Sequence, residues 1–169
     1  MFDATITFKR GEPPVNIIMN FKDENEFLSN FYLVPIWFED RLYPATENAY
    51  FAWMSTDDDI KLRLQTIRPV EAKALAQTEA FKSQRKFKTQ DELLAGMETL
   101  VRQKFFDHPE LADKLLATGD ALLIEGNTWG DENFGVNMQE GRGCGRNGLG
   151  QMLMKIRREL REMREGKGA

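Results

Sequence analysis

Cysteine and histidine are nearly missing from this chain: Cys144 and His108 stand alone among 169 residues. One cysteine excludes an intramolecular disulfide framework, and one of each leaves too few ligands for a Cys/His metal site. A histidine-activated cysteine nucleophile is disfavoured too, because His108 precedes Pro109 at a helix end and Cys144 lies in a separate glycine-rich segment. Long apolar runs are lacking, and no stretch approaches the roughly 20 residues of a membrane span. Met1-Phe2-Asp3 supplies neither a basic start nor an apolar run, so no signal peptide is expected. These absences predict a cytoplasmic protein in a reducing compartment, with no membrane partner, no cofactor and no metal. Excess positive charge is absent as well. With 23 Lys and Arg against 27 Asp and Glu, the net charge is -4, so a nucleic-acid substrate would have to be gripped by a local basic patch.

What is present suits one cored domain over residues 1–169, its core about 16–160. A content of 41% hydrophobic residues is enough for one core, and the length is short for two. Residues 1–16 read as an irregular or weakly stranded lead-in broken at Gly11-Glu12-Pro13-Pro14. Asn16–Phe21 has strand composition, with Phe27–Tyr32 expected across it. Ile36-Trp37-Phe38 and Arg41-Leu42-Tyr43 form a hairpin around Glu39-Asp40, an unfavourable turn pair without glycine. Thr46 is the expected N-cap of a helix from Glu47 to Ser55. Further helices are predicted over Asp57–Ile67, over Val70–Gln77 behind Pro69, and after His108-Pro109. Thr89-Gln90-Asp91-Glu92 has capping-box spacing and starts a helix over Gln90–Phe106. Ala121–Glu125 reads as a strand or extended stretch. Gly126–Gly150 holds eight of the thirteen glycines, and Gln151–Glu165 aligns Met152, Ile156, Leu160 and Met163 on one helical face. The fold class is therefore α+β, mostly helical with a small β-sheet and without internal repeats.

Two segments carry the chemistry. Glu47 stands at a helix start among Tyr43, Ala49, Tyr50 and Phe51, where the dipole favours an ionised acid and the apolar walls oppose one. It is either a reacting carboxylate or an ordinary first-turn glutamate. Asp131 follows Trp129-Gly130, an indole beside a turn, and either acts on a ligand or only bonds its own backbone. Glu125 is a third carboxylate for the same pocket, or a solvated strand end. Gly141–Gly150 is like a phosphate cradle before a helix N-terminus, with Arg142 and Arg146 adding charge, or else a glycine-rich loop with no ligand. It matches neither a Walker loop nor a dinucleotide fingerprint. Ser83–Lys88 is a basic cluster around Phe87, for substrate phosphate or for solvent.

Taken together, these residues resemble the NADAR (YbiA-like) family from about Asn16 to Leu160. The likeness rests on Phe27-Leu28-Ser29-Asn30-Phe31, Tyr43-Pro44 with Glu47, Lys104-Phe105, and Leu115–Asp120. It continues through Leu123-Ile124-Glu125, Trp129-Gly130-Asp131, and Asn147-Gly148-Leu149-Gly150 with Leu153-Met154 and Arg157. The resemblance implies an N-glycosidase acting on a ribosylated base. Its substrate would be a small phosphoribosylated metabolite of riboflavin synthesis or an ADP-ribosylated base, including one in nucleic acid, with no obligate protein partner. Three positions depart from the family: Asn48 for a histidine, Met54 for a lysine, and Phe87 for a tryptophan. Loss of a cation there implies a changed preference for substrate charge, or an inactive member. The alternative function is a non-catalytic nucleotide or ADP-ribose binding module.

The leading expectation is hydrolysis through a ribosyl cation, with Glu47 and Asp131 as the two carboxylates. Asn30, Tyr50, Glu125, Trp129, Gly130, Arg146 and Asn147 are the expected substrate-binding residues. Trp129 would stack on the base and Arg146, with the glycine loop, would meet phosphate. This mechanism expects the carboxylates within roughly 5–10 Å of each other in one pocket, and at least one of them with a raised pKa.

Overall fold

A computed structural model describes residues 16–19, 21–86, 89–139 and 142–166. The expected lead-in before residue 16, together with Phe87 and Gly141, lies outside the described residues. Two compact units form, one over Ser29–Asp107 and one in which residues before Ser29 join those from His108 onward.

The first unit begins with the expected hairpin of β2 (Ile36–Phe38) and β3 (Arg41–Tyr43), antiparallel and with Trp37 opposite Leu42. Its turn is made by Glu39 and Asp40, both at positive φ (48° and 58°). Two left-handed residues match the twist of the strands, so the conformation that glycine usually supplies is adopted here by two acids. Pro44 ends the hairpin, and its carbonyl accepts the Val34 N–H at 3.0 Å. Helix α1 (Thr46–Met54) follows, buried along most of its length. Its N-cap is Ala45 rather than Thr46, and no side chain caps it. Around α1 lie α2 (Asp58–Leu64), α3 (Pro69–Ala76), α4 (Glu79–Gln84) and α5 (Gln90–Asp107). Asp57 caps α2 through the Asp59 and Ile60 N–H groups, and Pro69 opens α3 as expected. Helix α4 was not expected from sequence; Thr78 accepts the Phe81 N–H and starts it. The capping box of α5 closes as its spacing implies: Thr89 N–H donates to Glu92 at 2.7 Å, and Glu92 N–H donates to the Thr89 hydroxyl at 3.3 Å.

In the second unit, β1 (Ile17–Met19) pairs in parallel with β4 (Leu122–Ile124). The expected partner, Phe27–Tyr32, is instead a 3₁₀ turn over Asp23–Leu28 followed by a bend. Helix α6 (Pro109–Ala117) leads to β4, then β5 (Gly126–Asn127), β6 (Val136–Gln139) and β7 (Arg142–Cys144) make a three-stranded sheet. That sheet runs through the glycine-rich region, where no strand was expected. Helix α7 (Gly148–Gly166) starts three residues earlier than expected and buries Leu149, Met152, Leu153, Ile156 and Leu160. Met163, expected on the same face, is 43% exposed. Arg157 is buried and donates to the Thr118 hydroxyl at 2.7 Å and the Ala121 carbonyl at 2.9 Å, fixing α7 against the α6–β4 turn.

Gly150 lets α7 start against β4. A Cβ there would run into the Leu123 carbonyl oxygen and into the Asn147 amide, both held in place. Gly150→Ala is expected to cost about 1–3 kcal/mol, seen as a lower melting temperature in thermal unfolding. An unchanged melting temperature would show that the helix start can shift to make room.

Candidate functional site

Glu47 is the second residue of α1 and only 9% exposed. Its backbone N–H donates to the Asn30 carbonyl at 3.0 Å, so the Ser29–Asn30 turn sets where α1 begins. The dipole at this end favours a carboxylate. Asn30 is itself buried, its amide nitrogen 3.4 Å from the Met97 sulfur. Beside it, the Ser29 carbonyl accepts a bond from Lys104 Nζ at 2.8 Å. Lys104 is 1% exposed, and its Nζ lies 5.4 Å from the centre of the Tyr32 ring and 5.3 Å from that of Phe105. Burial pulls its pKa down to about 7. Tyr50, expected to touch substrate, is buried and stacks on Trp53 with ring centres 5.8 Å apart.

Asn48 points its amide at the end of α2, donating to the Leu64 and Ile67 carbonyls at 2.9 Å each. It therefore ties α1 to the chain leaving α2. Met54 is buried in the same unit. Two of the departures from the family thus lie in packing positions here.

In the second unit, Asn127 builds the other candidate segment. Its amide nitrogen donates to the Asp131 carbonyl at 2.7 Å and its amide oxygen accepts the Asp131 N–H at 3.1 Å. This ring holds the ends of the Thr128-Trp129-Gly130 tip together, and Gly130 completes the turn at φ 83°. Trp129 is 61% exposed on that tip. Asp131 Oδ1 accepts the Asn133 and Phe134 N–H groups, both at 3.0 Å, which is the local backbone-bonding turn weighed above. That turn occupies one oxygen of the carboxylate.

Glu125 and Asn147 meet through the backbone: Glu125 N–H donates to the Asn147 amide oxygen at 3.1 Å, while the Asn147 amide nitrogen donates to the Leu123 carbonyl at 2.8 Å. Asn147, at φ 52°, so acts as a substitute strand partner for β4. The expectation of free N–H groups at the start of α7 needs correcting. Those of Arg146, Asn147, Gly148 and Leu149 donate to the Glu132, Gly135, Asn133 and Phe134 carbonyls at 2.7–3.2 Å. Arg146 is exposed, so any anion here would be met by its guanidinium rather than by a cradle of these amides. Among the described residues, no group of three or more His, Cys, Asp or Glu gathers to hold a metal ion.

Lys104 and Asn127 were absent from the set of site residues read from sequence. Lys104 follows Leu94, Met97 and Val101 on the buried stripe of α5, and a lone cation at such a position was the available signal. Asn127 offered only its four-residue spacing from Asp131.

The model of the NADAR domain matches residues 17–161, taking in both units. A riboflavin biosynthesis protein of Vibrio vulnificus is 35% identical over 83% of this chain, which spans only 37% of that protein's length. The N-glycosidase YbiA of Escherichia coli is 29% identical over 86% of this chain and 88% of its own. An N-glycosidase of Nostoc punctiforme is 32% identical over 80% and 85%. The NMR structure of E. coli YbiA superposes with a TM-score of 0.74 at 26% identity, covering 90% of this chain and 89% of that one. The fold is accordingly the expected YbiA-like α+β domain, and the chain belongs to the NADAR domain family.

Proposed function

We propose that this chain is an N-glycosidase that hydrolyses the bond between a ribose, phosphoribosyl or ADP-ribosyl, and a nucleobase or amine. The observation that carries this reading is Glu47, a carboxylate nine-tenths buried at the head of α1 in a family whose relatives bear N-glycosidase names. As the glycosidic bond breaks, positive charge develops at the anomeric carbon and electrons pass to the base nitrogen. A carboxylate stabilises that charge, and a carboxylate can orient the incoming water. Water then gives its hydroxyl to the sugar and its proton to the departing base. Glu47 and Asp131 take these roles in the proposal, Asp131 through Oδ2, since Oδ1 is committed to the turn. Exposed Trp129 stacks on the base, and Arg146 meets phosphate. Asn30, Gly130 and Asn147 contribute mainly by fixing backbone. Glu125 completes the substrate contacts, whereas Tyr50, buried and stacked on Trp53, contributes by packing α1.

The test is incubation with phosphoribosylated pyrimidines and ADP-ribosylated guanine, followed by chromatography for free base. Release is expected. Tight binding without release would favour a binding module instead, the alternative that Asn48 and Met54 support by standing where the family has cations. Asp131→Asn keeps the Oδ1 acceptor for the turn, so it should fold normally and lose turnover by about a hundredfold or more. Near-normal rates in this variant would remove Asp131 from the mechanism.

A further inference from the structure

The buried ammonium of Lys104 has no place in the reaction scheme above, although the geometry around it is built with care. Its Nζ donates to the Ser29 carbonyl at 2.8 Å. The next residue in that turn, Asn30, accepts the Glu47 N–H at 3.0 Å and lies against Met97, seven residues before Lys104 on α5. Ser29 closes the turn from its own side, its hydroxyl accepting the Phe31 N–H at 3.1 Å. The rings of Tyr32 and Phe105 flank the ammonium. Among the described residues no carboxylate pairs with Lys104, and a lysine sealed in so apolar a setting costs stability and is retained where it does something that packing cannot.

We propose that Lys104 is a positioning residue for the N-glycosidase reaction: it fixes the Ser29–Asn30 turn, and through the Asn30 carbonyl that turn fixes the first turn of α1 and the Glu47 carboxylate. This inference rests on the reading of Glu47 as a reacting group. A carboxylate displaced by about 1 Å from its working position loses on the order of a hundredfold in rate, even when the change is remote from the chemistry.

The experiment compares Lys104→Met with Lys104→Gln, both one atom shorter than lysine, the first without a donor and the second retaining an N–H donor. Lys104→Met is expected to lower kcat by about ten- to a hundredfold with KM within about twofold, and with the melting temperature within a few degrees of wild type. Lys104→Gln should recover part of the lost kcat. Amide hydrogen exchange supplies a readout that needs no turnover: the Glu47 N–H should exchange at least about tenfold faster in Lys104→Met, while amides in the middle of α5 keep their protection. Wild-type kcat in Lys104→Met, or unchanged exchange at Glu47, would overturn the positioning role. Absence of base release by the wild-type protein would instead overturn the N-glycosidase reading, with the exchange result still deciding whether Lys104 governs the turn.

Discussion

Glu47→Gln should abolish most turnover, by about 10³-fold, in a protein that melts close to wild type. Glutamine keeps the shape of glutamate and removes only the charge. A backbone bond from the residue 47 N–H to the Asn30 carbonyl helps to anchor this position and is indifferent to the side chain. Loss of a negative charge from the first turn of α1 costs about 0.3–1 kcal/mol through the helix dipole, too little to unfold the unit. The catalytic loss is larger because a neutral amide cannot offset the charge that grows on the ribosyl carbon, and that interaction exists only in the transition state. Affinity for intact substrate should therefore change much less than kcat. Turnover near the wild-type rate on a confirmed substrate would remove Glu47 from the chemistry and leave it a buried helix-start residue.

Stability should rise as the pH is raised from 7 toward 10, the reverse of what alkaline conditions do to most proteins. Lys104 has a pKa of about 7 in the folded protein, against 10.5 for an exposed lysine. Below pH 7 both states carry the proton, and Lys104 contributes no slope. Above it the unfolded chain still binds a proton that the folded chain has released, so unfolding is opposed with each further pH unit. The slope is about 1.4 kcal/mol per unit, on the order of 5 kcal/mol across the whole window. The Tyr43 hydroxyl is buried and its pKa is raised, so its titration opposes this trend only above the ordinary tyrosine range. Urea unfolding at pH 7.0 and 9.5 would read the effect, with Lys104→Met as the control. Parallel curves for the two proteins would show that the lysine is solvated or charged in the folded state.

Much of the architecture could be read from local chemistry. The hairpin was visible because two short strand-forming runs, Ile36-Trp37-Phe38 and Arg41-Leu42-Tyr43, flank Glu39-Asp40 and stop at Pro44, and α5 because its capping box is written in four consecutive residues. Pairings and exceptions were hidden. Nothing in Ile17–Met19 says that its partner is Leu122–Ile124, since parallel pairing is set by packing and not by a turn. The Glu39-Asp40 turn uses left-handed residues without the glycine that usually signals them. Glycine content set Gly126–Gly150 apart without marking any strand in it, whereas β5, β6 and β7 run through it. At the candidate site, Glu47 and Trp129 were legible as a carboxylate at a helix head and an aromatic beside a turn. The work of Lys104, Asn127 and Asn48 was not, because each acts on backbone groups that only the folded chain brings within reach.

The parallel pairing of Ile17 with Leu122 also bears on how the chain comes off the ribosome. Ser29–Asp107 is continuous and can condense as soon as it clears the exit tunnel, whereas β1 must wait until roughly a hundred further residues have been made. During that delay a short apolar strand is presented with both edges open, available to any other nascent chain. Closing so long a loop is a slow step compared with forming the helices between. Yield in rapid overexpression should therefore be limited by β1 finding its partner, and slower translation or lower temperature should favour the native pairing over aggregation.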